Sequence, residues 1–321
     1  MRPVATTATT TRAMRACVFW AAAVALVLVL CCREVNAAAA AATPAAGAES
    51  PRQEQLTPQH NATFFSTERA KIFALFSQAA YCSAPSLTAW NCTPCQQPEI
   101  AGFTVSRVVF GTKSQTQAFV GSDADDIVVS FRGTDNLENW IKDLDFPKTT
   151  SYPKCPTCKV HAGFWGAWLE LQTDVLAEVE QLARRMPLAK IFVTGHSLGA
   201  ALAALCAAEL GASSHSLGFP IEGVYTYGQP RVGDVAFQKF YSTGEHVSWR
   251  VTHWRDIVPH LPFESFGFHH TSTEVFYNEE NSVWKICDGT GEDDACADQF
   301  DLYSVEDHRH YLNVSITSCS T

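Results

Sequence analysis

The chain is short of charge, and shorter still of positive charge. Only 17% of its 321 residues are charged, and 23 Lys and Arg face 33 Asp and Glu for a formal net charge of −10. Such an acidic surface does not gather phosphates, so nucleic acid is excluded as a partner, and so is charge-driven capture by anionic lipid. Any attraction to a lipid surface would have to be apolar. The sequence also lacks internal repeats and a second domain. What it has in quantity is apolar side chains, 46% of the total, enough for one large core.

The first 37 residues do not belong to that core. Arg2, Arg12 and Arg15 precede an apolar run from Ala16 to Cys32, and Val35-Asn36-Ala37 offers a small-residue cleavage site. This is the pattern of a secretory signal peptide. The alternative is a short signal anchor holding the chain to a membrane. Residues 38–58 are mostly Ala, Pro, Gln and Ser, bury little, and predict a flexible linker or propeptide before a domain at 59–321. Loss of residues 1–37 takes away four arginines and one glutamate, so the net charge of −10 becomes −13.

Twelve cysteines fit the same compartment. Cys17, Cys31 and Cys32 lie in the leader, and Cys206 sits in an Ala-rich segment that suits a buried small hydrophobe. Cys82, Cys92, Cys95, Cys155, Cys158, Cys287, Cys296 and Cys319 remain, an even set in a chain bound for an oxidising compartment, which predicts disulfides. The two Cys-x-x-Cys pairs could instead hold zinc, but two halves so far apart in sequence are unusual for such a site, and no metal is expected. Sequons at Asn61, Asn91 and Asn313 fit secretion.

The strongest local signal lies at Ile191–Leu205, Ile-Phe-Val-Thr-Gly-His-Ser-Leu-Gly-Ala-Ala-Leu-Ala-Ala-Leu. A β-branched apolar run meets a Gly-x-Ser-x-Gly turn and then a dense Ala/Leu stretch. That order predicts strand, sharp turn and helix with Ser197 at the apex. The flanking glycines remove Cβ atoms that would clash where strand folds onto helix. Ala200, Ala201, Ala203 and Ala204 let the helix lie close to a sheet. A serine so placed can act as a nucleophile, with the Leu198 N–H beside it at a helix N-terminus.

Around this elbow the chain alternates. An amphipathic helix is predicted over Thr67–Tyr81, strand-like runs over Phe103–Phe110, Thr116–Val120 and Asp126–Arg132, and a long helix over Ala167–Met186. After the elbow come strand Gly223–Tyr227, helix Asp234–Tyr241, strand Ser248–Thr252, and shorter runs near Thr273–Tyr277 and Ser282–Cys287. The expectation is one α/β domain with a mostly parallel central sheet and flanking helices. Between Thr134 and Pro147, apolar Leu137, Trp140, Ile141 and Leu144 fall at i, i+3, i+4 and i+7 with Glu138, Asn139, Lys142, Asp143 and Asp145 opposite. This is either one more core helix or a short mobile helix shielding an apolar pocket; composition does not choose.

A serine nucleophile on this scaffold needs an acid and then a histidine later in the chain. Asp256 follows a predicted strand in an apolar loop, where a carboxylate needs a purpose, whereas Asp234 reads more simply as a helix N-cap. Eight histidines follow Ser197; His308 and His310 suit the order, and spacing alone does not separate them.

These segments together resemble the class 3 lipases, the filamentous-fungal triacylglycerol lipase type, from about Thr67 to Cys319. The resemblance is carried by Val-Ser-Phe-Arg-Gly-Thr (129–134), Asn-Trp-Ile-Lys-Asp-Leu (139–144), Lys-Val-His-Ala-Gly-Phe (159–164), Val-Thr-Gly-His-Ser-Leu-Gly-Ala (193–200), Tyr-Gly-Gln-Pro-Arg-Val-Gly-Asp (227–234), Arg-Asp-Ile-Val-Pro-His-Leu-Pro (255–262) and Asp-His (307–308). It implies an α/β-hydrolase fold with Ser197 as nucleophile, Asp256 as acid and His308, not His310, as base. It further implies Thr134 and the Leu198 N–H as oxyanion donors, and a lid over Asp135–Phe146. It pairs Cys82 with Cys319, Cys92 with Cys95 and Cys287 with Cys296. Cys155 and Cys158 depart from that family's pattern and pair by remainder and proximity.

The expected activity is therefore secreted carboxylic-ester hydrolysis on lipid esters at an oil–water or membrane interface, with no cofactor and no obligate protein partner. A phospholipase A1 or feruloyl esterase on the same scaffold is the first alternative. A lipid-binding protein without chemistry is the second, disfavoured by the complete Ser/Asp/His set.

Overall fold

The computed structural model describes residues 64–143, 147–149, 152–217 and 220–319. The expected leader, the linker, the sequon at Asn61 and the lid residue Leu144 lie outside the described residues. An eight-stranded sheet carries the fold, and its strands stand side by side in chain order: β1 (Thr104–Gly111), β2 (Thr116–Ser122), β3 (Asp126–Phe131), β4 (Lys190–His196), β5 (Ile221–Tyr227), β6 (Val247–His253), β7 (Glu274–Tyr277) and β8 (Trp284–Ile286). The first three form an antiparallel meander, β3 to β7 run parallel, and β8 returns antiparallel. This is the α/β-hydrolase architecture. Among the described residues the α-helices are α1 (Thr67–Ala79), α2 (Ala84–Thr88), α3 (Leu137–Asp143), α4 (Ala162–Arg185), α5 (Leu198–Leu217) and α6 (Val235–Tyr241).

Both sheet faces are covered, as parallel strands require. On one face, Trp168, Leu171, Val175, Val179 and Leu182 of α4 join Ala201 to Ala208 of α5 in a core against Val129, Val193 and Val224. On the other, Phe73, Ala74, Phe76 and Ala79 of α1 pack with Phe119, Phe192, Tyr225 and Tyr227; the Phe73 and Tyr225 rings stack at 4.6 Å. α1 begins at its Ser66 cap, whose Oγ accepts from Arg69 N. It ends two residues before the predicted Tyr81. That shift frees Tyr81 from the helix.

The second boundary difference is larger. α4 starts at Ala162, five residues before the predicted Ala167, because His161 supplies an unusual N-cap: its Nδ1 accepts from Phe164 N at 3.2 Å. Gly163 and Gly166 then fall inside the first turns, where helix propensity alone argues against a helix. Asp234 is the N-cap of α6, its Oδ1 accepting from Phe237 N at 3.0 Å.

Disulfides join Cys82 to Cys319, Cys92 to Cys95, Cys155 to Cys158 and Cys287 to Cys296, and Cys206 is free and buried. Cys82–Cys319 spans 237 residues and ties the end of the α1 region to the chain's C-terminal segment; a crosslink over so long a loop constrains the unfolded chain strongly. No described helix is long and apolar enough to cross a membrane.

Candidate active site

The parallel strands point their carboxyl ends toward one edge of the sheet, and the loops there carry the functional side chains. Ser197 links β4 directly to α5 with φ +61°, a left-handed conformation that a non-glycine residue holds only where the surroundings enforce it. The enforcement is steric closeness on both sides: a Cβ on Gly195 would overlap the Gly199 carbonyl, and a Cβ on Gly199 would overlap that of Phe131. Strand and helix can thus approach closely enough to raise Ser197 between them, and its N–H donates to Tyr227 O at 3.0 Å.

Asp256 sits in the loop after β6, and His308 in a short 3-10 turn at Asp307–Arg309. The His308 ring lies 4.3 Å from that of His196, the residue before Ser197, and Ser197, Asp256 and His308 are each at most 1% exposed. His308 Nδ1 meets Asp256 Oδ2 at 2.8 Å. Asp256 Oδ1 accepts from Val258 N at 2.8 Å, and Tyr311 donates its hydroxyl to Oδ2. Burial, reinforced by the Asp256 charge, holds the Tyr311 phenol protonated by raising its pKa well above the ordinary value. Ser197 Oγ and His308 Nε2 are each buried and, among the described residues, without a hydrogen-bond partner. His310, the competing histidine, is part-exposed and turns to Glu306 at 3.5 Å.

Gly228 explains how the acid and base fit together. With φ +56°, it closes β5 beneath the His308 ring; a Cβ there would lie 2.6 Å from His308 Nδ1 and Cε1 and 2.8 Å from Asp256 Oδ2.

Thr134 follows β3 on the other side of Ser197. Its Oγ1 accepts from Asn136 N at 3.4 Å, and a Cβ on the preceding Gly133 would stand 3.0 Å from that of Ser197. Leu198 opens α5, so its N–H is among the helix's first four, which have no partner within the helix. Next comes α3. Leu137 is buried, Trp140 stacks on Phe164 at 6.2 Å, and Ile141 is part-buried. Glu138 reaches Arg309, the neighbour of His308, at 3.8 Å. A cleft of ≈ 320 Å³ lies among Thr134, residues 135–138, Arg309 and Thr317.

Three contributors lie outside the residues singled out from sequence: Tyr81, His196 and Tyr311. The His196 Nε2 lies 2.8 Å from the His308 carbonyl, and its Nδ1 lies 2.8 Å from the Tyr81 hydroxyl. Burial, together with the neighbouring His308, pushes the His196 pKa well below the usual imidazole range. Only their positions beside Ser197, Cys82 and His308 hinted at them; no local pattern marks such contacts. His269 and His270 serve the surrounding loops, His270 Nε2 meeting Pro259 O at 2.7 Å and His269 Nε2 meeting Thr290 O at 3.1 Å.

Fold and site define an α/β-hydrolase with a serine at its nucleophile elbow. Comparison with known proteins carries this further. The profile of the family described as Lipase (class 3) matches residues 128–266. A lipase of Rhizomucor miehei is 34% identical over 254 residues, covering 77% of this chain and 69% of that protein. A secreted mono- and diacylglycerol lipase of Fusarium solani is 36% identical over 250 residues, 72% of each. A solved structure of a triacylglycerol lipase, described as having a serine protease triad as its catalytic centre, superposes with a TM-score of 0.73 at 32% identity over 78% of this chain and 96% of that one. The chain belongs to the class 3 lipase family. It is a serine ester hydrolase, and lipid esters are its substrate class.

Proposed function

We propose that this protein is a secreted triacylglycerol lipase in which Ser197, His308 and Asp256 form the catalytic triad. The observation that carries the reading is the buried contact of His308 Nδ1 with Asp256 Oδ2 at 2.8 Å, which fixes one edge of the imidazole and leaves its other nitrogen, Nε2, available. A carboxylate accepts, so Nδ1 carries the imidazole proton and Nε2 presents its lone pair to the serine.

Ser197 Oγ attacks the ester carbonyl while His308 Nε2 takes its proton, and Asp256 stabilises the imidazolium that forms. The oxyanion of the tetrahedral intermediate is held by Thr134 and by the Leu198 N–H; loss of one such donor typically costs about 3 kcal/mol. His308 then gives its proton to the departing alcohol. Water repeats the cycle on the acyl-enzyme, releasing the fatty acid and restoring Ser197. No cofactor enters these steps.

The segment Asp135–Phe146, with α3 inside it, is the lid. Its helix covers apolar side chains when closed and would offer Leu137, Trp140, Ile141 and Leu144 to an oil–water or membrane interface when open. Residues 1–37 act as the secretory signal, 38–58 as linker or propeptide, and 59–321 as the catalytic domain. Secretion agrees with four disulfides and with the secreted relative from Fusarium solani.

The test sets triacylglycerol emulsion, phospholipid vesicles and a feruloyl ester side by side. Triacylglycerol should be hydrolysed fastest, and Ser197→Ala should remove at least about 10⁴-fold of that rate without unfolding the protein. Preferential hydrolysis of phospholipid or feruloyl ester would replace the substrate assignment. Turnover surviving in Ser197→Ala would remove the triad.

A further inference from the structure

Behind the triad lies a chain of buried polar contacts that the ester-hydrolysis steps do not use. His196 ends β4 and immediately precedes Ser197, and its ring is fully buried against that of His308, with centroids 4.3 Å apart. Its Nε2 faces the His308 carbonyl oxygen at 2.8 Å. A carbonyl can only accept, so Nε2 bears the proton. A buried neutral imidazole has one N–H, which leaves Nδ1 as an acceptor; the Tyr81 hydroxyl, 2.8 Å away, must donate to it. With the ring neutral, the partners fix the tautomer: Tyr81 O–H to His196 Nδ1, His196 Nε2–H to the His308 carbonyl.

Tyr81 also touches the third segment of the site. A Cβ on Gly133, next to Thr134, would overlap the Tyr81 hydroxyl and come within 2.7 Å of the His196 carbonyl oxygen. Tyr81 is itself anchored, since the next residue is Cys82, bridged to Cys319. One phenol therefore sits against the Gly133–Thr134 loop and holds the histidine beside the nucleophile, which in turn holds the backbone of the base.

We propose that Tyr81 and His196 are positioning residues that fix the His308 main chain relative to Ser197, so that they act on the chemical step and not on substrate affinity. This rests on the triad assigned above. Misplacing a reacting group by about 1 Å can cost about a hundredfold, and one directed hydrogen bond is worth about a fivefold factor.

The experiment measures kcat and KM on a dissolved short-chain p-nitrophenyl ester, the labelling rate with a p-nitrophenyl alkylphosphonate, and melting temperature. Tyr81→Phe, which keeps the ring and loses the donor, should lower kcat about fivefold with KM within about twofold. His196→Leu, which removes both contacts, should lower kcat about fiftyfold and slow phosphonate labelling in parallel. His196→Gln can place an amide N–H near the old Nε2 and should recover about tenfold of that loss, whereas Asn, one methylene shorter, should not. Tyr81→Phe and His196→Leu with kcat within about twofold of the parent, while Ser197→Ala is inactive, would overturn the inference alone. Gln no faster than Leu would do the same. Turnover surviving in Ser197→Ala would overturn the triad reading, and this inference with it. Should His196→Leu fail to fold, Tyr81→Phe still decides.

Discussion

The Ser197 elbow and the α3 helix are neighbours across Gly133 and Thr134, yet they are held by different physics. At the elbow the constraints are mostly buried and directional: a left-handed serine locked between two glycines, an aspartate whose oxygens receive Val258, Tyr311 and His308, and the His196 ring pinned from both sides. At α3 the holds among the described residues are an Asn136 cap at 3.3 Å, an aromatic stack, the burial of Leu137, and the ion pairs Arg132–Asp135 at 3.5 Å and Arg309–Glu138 at 3.8 Å. Exposed ion pairs are worth about 0–1 kcal/mol each. The proposed triad is thus built where displacement is costly, and the proposed lid where rearrangement costs little.

The sharpest way to break that contrast is to strain the rigid side without touching a reacting group. Gly228→Ala adds one methyl that would lie 2.6 Å from His308 and 2.8 Å from Asp256, at a φ of +56°. The ring must move, and kcat/KM on a dissolved ester should fall about a hundredfold. A variant within about threefold of the parent would show that the acid–base pair has slack and that the contrast is overstated.

Legibility in the sequence followed the same divide between local and distant causes. Ser197 was readable because its constraint is local: glycines two residues either side, a β-branched run before, alanines after. The strands and the long helix were readable from periodicity, although the start of α4 was hidden by Gly163 and Gly166 and by a histidine cap that composition does not advertise. Asp256 stood out as a carboxylate in an apolar loop. The proposed base did not stand out: spacing left His308 and His310 open, and only the family resemblance pointed to His308, which the structure places against Asp256 while His310 turns to Glu306. Tyr81 and His196 meet across 115 residues and Tyr311 and Asp256 across 55; contacts so distant in sequence leave no local pattern.

On the yielding side, Trp140→Ala removes the stack on Phe164. An aromatic pair of this kind contributes about 1 kcal/mol beyond its buried area. If α3 is the lid, the closed form loses about that much, and hydrolysis of a dissolved ester should rise up to about fivefold while emulsion activity, which needs the apolar face, falls. Equal falls on both substrates would make Trp140 a packing residue of a fixed helix.

The smallest effect should come from the Arg309–Glu138 pair, which bridges the two regions. Arg309 also contacts Glu306 at 3.3 Å, so its guanidinium is shared between the His308 turn and α3. Arg309→Gln should raise dissolved-ester rates by less than about twofold in dilute buffer. The gap between variant and parent should close near 1 M NaCl, where the Debye length is about 3 Å and such exposed pairs are screened. A gap that survives high salt would mean that Arg309 acts through packing on the His308 turn, and therefore belongs to the rigid region instead of the latch.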